Sequence, residues 1–162
     1  MYKHILIPTD GSHLSEESAA SAVSMARSLG ARVTVLHVVP EPTTSGIDAW
    51  THDDEAFEAH LEKVLEARGQ QYLETVCDMA RKAGVPCESA LVRGESPHAE
   101  IVVEARARGC DLIMMASHGR KGGDAVLLAS ETIKVMTLGD IPVLVHHAAR
   151  AKRPRAQPAL AG

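Results

Sequence analysis

The stretch "DLIMMASHGRKGGDAVLLASETIKVMTLGDIPVLVHH", residues 111–147, decides the fold. It opens on an apolar run of strand length (111–117), crosses a glycine-rich basic loop, takes helical spacing at Ile133, Val135 and Met136, and reaches Leu138-Gly139. It then closes on a second apolar run (141–147). Two runs that are apolar on both faces and joined by a helix describe neighbouring parallel strands, because a tight turn cannot connect strands that point the same way.

The same unit recurs toward the N-terminus. "HILIPTD" (4–10), "RVTVLHVV" (32–39) and "ESALVRG" (88–94) have strand length. Between them lie helical spacings at Ala19, Ala22, Val23, Ala26 and Leu29, at Phe57, Leu61, Val64, Leu65, Tyr72, Leu73, Val76 and Ala80, and at Ile101, Val102 and Ala105. A glycine follows the last helical turn at Leu29-Gly30, Ala83-Gly84, Arg108-Gly109 and Leu138-Gly139, and each is expected to adopt the left-handed conformation that ends a helix. Ser96-Pro97 reads as an N-cap and a proline at the first helical position, so the third helix is expected to begin at Pro97. The fourth is expected to begin near Ser130. Five strands alternating with four helices predict a doubly wound α/β domain, a parallel sheet covered on both faces.

With 162 residues, 45% of them hydrophobic, the chain has enough apolar surface for one core and too little length for two ordinary domains. The domain is expected to span 1–148. The segment "PEPTTSGIDAWTHDD" (40–54) reads as a long loop, and the basic, proline-containing end (149–162) as a disordered tail. No run has the length of a membrane span and "MYKHILIPTD" does not read as a signal peptide, so a cytoplasmic location is expected. Cys77, Cys87 and Cys110 are odd in number and lack Cys-x-x-Cys spacing, which indicates reduced, mostly buried thiols and neither a disulfide framework nor a zinc site. The nine histidines show no ligand spacing, so no structural metal is expected.

The net charge is −4, yet Arg150, Lys152, Arg153 and Arg155 lie in the acid-free tail, leaving a body more acidic than the whole. Such a body repels a phosphate backbone, and one Trp, two Tyr and one Phe offer few rings for base stacking, so nucleic acid is not an expected partner of the core. The tail reads as a solvated end.

In an open parallel sheet, ligands sit beyond the carboxyl ends of the strands where strand order reverses. Strand one delivers "PTDGS" (8–12), strand two "HVVP" (37–40) and strand four "ASHG" (116–119). Asp10 offers two acceptor oxygens to a sugar hydroxyl or an amino group, although Asp-Gly-Ser is also ordinary turn chemistry. Gly119, Gly122 and Gly123 free the loop after strand four to aim its amides at one point. With a helix N-terminus near Ser130, the loop could hold a phosphate through backbone charge alone; the alternative is a plain flexible connector. It is neither a Walker loop nor a dinucleotide-binding fingerprint.

Taken together, "YKHILIPTDGS", "VLHVV", "CDLIMMASHGRKG" and "ASETIKVM" followed by "IPVLV", in this order and spacing across residues 2–146, resemble the universal stress protein family. The resemblance implies a sheet of order 3-2-1-4-5 of the HUP, adenine-nucleotide alpha hydrolase-like kind. It also implies a homodimeric stress-response module that binds ATP, with magnesium as the usual companion of the triphosphate. The family's nucleotide-binding members carry Gly-x-x-Gly, nine residues, then Gly-Ser or Gly-Thr. Here the frame reads Ala116-Ser-His-Gly119, nine residues, Ala129-Ser130.

The nucleotide-binding set implied by resemblance is Pro8, Thr9, Asp10, Val38, Met115, Ala116, His118, Gly119, Arg120, Ala129, Ser130 and Glu131. Within it Asp10 would approach the ribose or base, Val38 would offer backbone bonds to adenine, and Gly119 with Ser130 would line the phosphates. A methyl group at 116 or 129 costs little at negative φ and about 1 kcal/mol or more at positive φ. His118 is a lone histidine without an orienting acid, and nothing nearby supplies the set of carboxylates that usually holds magnesium for phosphoryl transfer, so sensing is expected and not turnover. The alternatives are a nucleotide hydrolase or nucleotidyl transferase using the same pocket, and a nucleotide-free interaction protein whose alanines have closed it. The resemblance also implies dimers through the last strand, making Val143 and Val145 the expected interface residues, with ordinary core packing as the alternative.

Overall fold

Strand β1 (His4–Pro8) occupies the centre of a five-stranded sheet of order β3-β2-β1-β4-β5, and every pairing in it is parallel. The computed structural model describes residues 1–41, 55–117 and 131–147, except for the side chains of 55–58. Along the chain the remaining elements are α1 (His13–Leu29), β2 (Arg32–Pro40), α2 (Glu55–Ala83), β3 (Cys87–Gly94), α3 (Pro97–Ala107), β4 (Leu112–Ala116), α4 (Glu131–Leu138) and β5 (Val143–His146). The greater part of the 40–54 loop, the glycine-rich loop from 118 to 130 and the tail beyond 147 lie outside the described residues.

Side chains alternate across the sheet, so successive residues of one strand feed two cores. Ile5, Ile7, Val33, Val35, Leu112 and Met114 pack against Ala19, Ala22, Val23 and Ala26 of α1 and Leu73, Val76 and Ala80 of α2. Leu6, Leu36, Ile113 and Met115 pack on the other face against Ile101, Val102 and Ala105 of α3 and Val135 of α4. Ile5, Leu6 and Ile7 are all fully buried, which explains why strand one reads as an unbroken apolar run. His4 is the polar member of that strand. Its Nε2 shares a 2.8 Å hydrogen bond with Thr34 Oγ1, and burial holds its pKa below the usual histidine value.

Strand order reverses between β1 and β4, and there the sheet opens. The β1–β2 ladder continues through Pro8 with Leu36, whereas the β1–β4 ladder contains only Ile5 with Leu112 and Leu6 with Ile113. The two central strands therefore part toward their carboxyl ends, the crevice geometry of doubly wound sheets.

Several expectations need correction. Gly30, Gly84 and Gly109 are left-handed as expected, with φ of 64°, 70° and 65°, but Gly139 is not. A side chain at 139 would stand 2.9 Å from the carbonyl oxygen of Val135, so that glycine serves a close approach. Helix α3 does start at Pro97, yet the Ser96 side chain makes no capping bond. The His98 amide instead donates to Glu131 Oε2 at 2.9 Å, so a carboxylate from α4 caps α3. Strand β1 ends at Pro8, two residues before the end of its apolar run, and β5 begins only at Val143. Of the three thiols only Cys110 is buried. Cys77 and Cys87 are half-buried at the α2–β3 margin, where an edge strand leaves its helix partly uncovered. Among the described residues no helix is long and apolar enough to cross a membrane, and no group of three or more His, Cys, Asp or Glu side chains could hold a metal ion.

Candidate functional site

The turn after β1 is held from several directions. Thr9 N–H donates to Leu36 O at 2.9 Å, and Gly11 N–H donates to Thr9 Oγ1 at 3.3 Å. Thr9 Oγ1 also lies 3.2 Å from Ser15 Oγ, so this buried hydroxyl locks the turn to α1. Asp10 Oδ1 accepts from Ser12 N–H at 3.0 Å, an Asx turn that aims the following chain into α1, whose N-cap Ser12 accepts from Ser15 N–H. Asp10 thus performs the turn role that Asp-Gly-Ser allows, at the mouth of the crevice.

The contacts among His37, Tyr72, Gly11 and Gly69 could not be read from motifs, although Gly11 and His37 lie in the strand-end stretches already singled out. His37 Nδ1 lies 2.8 Å from the Thr9 carbonyl oxygen; since a carbonyl only accepts, Nδ1 carries the proton. The His37 ring meets the Tyr72 ring edge-on, with centroids 5.3 Å apart. Tyr72 in turn covers Gly11, whose φ is +70° and where a side chain would fall among ring atoms Cε1, Cδ1 and Cζ. Gly69 clears the space that His37 fills, since a Cβ there would stand 2.5 Å from His37 Cδ2. The only sequence signals were a histidine interrupting an apolar strand and a tyrosine in a chain poor in aromatics.

Strand β2 outlasts β1. In a parallel ladder a residue directs both backbone groups to one side and its neighbour directs both to the other. Arg32 N–H donates to Lys3 O and Leu36 O accepts from Thr9 N–H, so even-numbered residues of β2 face β1; Val33 N–H donates to Pro86 O, so odd-numbered ones face β3. Val38 therefore directs its N–H and C=O past the end of β1, beyond the last β1 pair at Pro8 and Leu36. A donor and an acceptor side by side at that height suit the edge of a purine.

At the end of β4, Met115 and Ala116 are buried, and the Ala116 carbonyl accepts from Thr132 Oγ1 at 2.7 Å, which fixes the first turn of α4 to the strand. Among the described residues only glycines have positive φ, so the methyl group of Ala116 causes no backbone strain. Glu131 Oε2 accepts from His98 Nδ1 at 2.7 Å as well as from its amide, while Oε1 accepts from Lys134 Nζ at 2.8 Å. Burial alone would raise the Glu131 pKa, but the bonds from Lys134 and His98 prevail and hold it below the usual glutamate value. Its carboxylate is thus engaged with α3 and its own helix.

Of the residues singled out from sequence, Pro8, Thr9, Asp10, Val38, Met115 and Ala116 gather at the carboxyl ends of three adjacent strands, and Glu131 begins α4 beside them. His118, Gly119, Arg120, Ala129 and Ser130 lie outside the described residues. Val143 packs on the core beneath α3 and α4, Val145 is half-buried, and Leu144 between them is exposed on the edge strand β5.

Comparison with known proteins gives a concordant result. A family model described as the universal stress protein family matches residues 1–147. The universal stress protein MJ0531 of Methanocaldococcus jannaschii is 34% identical over 145 residues, covering 90% of this chain and 82% of its own. The solved structure of protein MJ0577 from the same organism superposes with a TM-score of 0.77 at 30% identity, over 93% of this chain and 99% of that one. Two further structures share the fold. One is a universal stress protein in complex with cAMP (TM-score 0.66, 23% identity, 91% and 99% coverage), and the other a universal stress protein from Archaeoglobus fulgidus in complex with dAMP (0.60, 22%, 89% and 97%).

Proposed function

The chain belongs to the universal stress protein family, and from that premise we propose that it binds an adenine nucleotide, ATP foremost, in the crevice at the ends of β1, β2 and β4. It acts there as a homodimeric sensor and not as a catalyst. The observation that carries this reading is the backbone of Val38, whose N–H and C=O face the crevice above the end of β1. Adenine is common to the ligands of the two nucleotide complexes that share this fold.

In this reading Val38 holds the base edge, Asp10 meets the ribose, and Pro8, Thr9, Met115 and Ala116 shape the walls. Gly119 and Ser130, with His118, Arg120, Ala129 and Glu131 beside them, surround the phosphates. ATP supplies a polyanion, and the N-terminus of α4 supplies partial positive charge. The unstrained φ of Ala116 supports an open site, because a methyl group there leaves its amide available without distorting the strand end. Dimerisation through β5 would cover an edge strand on which Leu144 is 38% exposed, with Val143 and Val145 at its flanks.

Purified protein incubated with ATP, freed of excess nucleotide and then denatured should release intact ATP, about one per chain. Mass spectrometry of the released ligand checks this. Conversion to ADP or AMP would favour the hydrolase or transferase reading, and no retained nucleotide would favour a module that works without one.

A further inference from the structure

Away from the crevice, at the amino end of the sheet, two of the three cysteines meet. Cys77 stands near the end of α2 and Cys87 opens β3, and their sulfurs are 3.3 Å apart, with the Cys87 thiol as donor. Both are half-buried, whereas Cys110 is 6% exposed. Only the turn Gly84-Val85-Pro86 separates the two elements, so the facing thiols are held by the backbone on each side. A disulfide needs a sulfur separation of about 2.05 Å, which leaves roughly 1.3 Å for the side chains to close by rotation.

We propose that Cys77 and Cys87 form a reversible oxidation site, at which a small hydroperoxide converts the two thiols into an intrachain disulfide joining α2 to β3. Cys77 is the attacking sulfur, because Cys87, 3.3 Å away, is the one held protonated. Cys87 keeps its proton, its thiol pushed up to about 12 by burial and by Cys77 beside it. The Cys77 thiolate attacks one peroxide oxygen and breaks the O–O bond, giving a sulfenic acid and, from hydrogen peroxide, one water once the released hydroxide takes a proton. The Cys87 sulfur then attacks Cys77 Sγ, and its proton leaves with the departing hydroxide as a second water. Two thiols and one peroxide thus become one disulfide and two waters, the two sulfur electrons having reduced the O–O bond. In a reducing compartment the pair rests as thiols and closes only under oxidant. Because β3 is the edge opposite β5, the site does not depend on how the chain dimerises or on what the crevice binds.

The full-length protein treated with a slight excess of hydrogen peroxide should fall from three titratable thiols to one. Peptide mapping without reductant should recover a single linked pair, Cys77 with Cys87, that dithiothreitol reverses. The thermal midpoint of the oxidised form should rise by about 5 °C. Cys110→Ser should leave the link intact, and Cys77→Ser or Cys87→Ser should each abolish it. Recovery of sulfinic or sulfonic acid at Cys77 without a linked peptide, of links only between chains, or of three unreacted thiols would overturn the proposal; wild-type mapping decides this even if a variant fails to fold.

Discussion

Gly11→Ala is expected to destabilise the fold by about 3 kcal/mol, while Gly30→Ala, at nearly the same φ, costs only about 1 kcal/mol. Both glycines are left-handed, at +70° and +64°, so the backbone penalty for a side chain is common to the two. They differ in what surrounds them. A Cβ at 30 meets nothing within 4 Å, whereas one at 11 enters the Tyr72 ring. Relieving that overlap means moving a ring that also packs edge-on against His37, and His37 holds the carbonyl of Thr9. The excess of about 2 kcal/mol therefore measures how firmly α2 clamps the turn that carries Asp10. Urea unfolding of both variants checks it, and Gly11→Ala should approach the smaller loss when Tyr72→Ala is added. Equal losses at 11 and 30 would mean that the ring yields freely and that the turn is not clamped.

The second large effect concerns binding. Val38→Pro removes one N–H and replaces it by a ring carbon. In a central strand that change normally removes a ladder bond, but the Val38 amide points past the end of β1, and the residue before it already lies in extended backbone. The thermal midpoint should change by no more than about 3 °C. ATP affinity should fall about five- to thirtyfold, because an adenine nitrogen left without its donor in a desolvated site loses about 1–2 kcal/mol. Val39→Pro provides the contrast. Its amide faces β3 at the Val39–Arg93 pair, so the same substitution one residue later should destabilise the sheet itself. Titration calorimetry and thermal melts of the two variants separate these outcomes. Unchanged ATP affinity in a folded Val38→Pro protein would remove the base from β2.

The alternation of elements was legible in the sequence because it is written in local patterns: doubly apolar runs at 4–10 and 111–117, helical spacing between strands, and glycines at 30, 84 and 109. Each of these signals lies within a few residues of the feature it specifies. The clamp over Gly11 was not legible, because Tyr72 lies on another helix and only tertiary packing brings its ring to the turn. The same reason hid the capping of α3 by Glu131, a residue the family resemblance had placed beside the nucleotide, and the meeting of Cys77 with Cys87 across a helix–strand junction. Gly139 shows the converse: its position after a helix suggested a left-handed cap, yet the Val135 carbonyl is what excludes a side chain there. For the site, the sequence pointed to the strand ends that converge, but the direction of the Val38 backbone follows from sheet register, which depends on where β1 stops.

The central claim is that an adenine nucleotide lies across the carboxyl ends of β1, β2 and β4, and amide NMR of the nitrogen-15-labelled protein during titration with ATP tests it most directly. The amides of Asp10, Gly11, Val38, Ala116, Ser117 and Thr132 should shift together and saturate at about one nucleotide per chain, while those at the amino end of β3 stay in place. If those six amides remain unmoved at saturating ATP, or if the shifts gather on another surface, the crevice is not the nucleotide site.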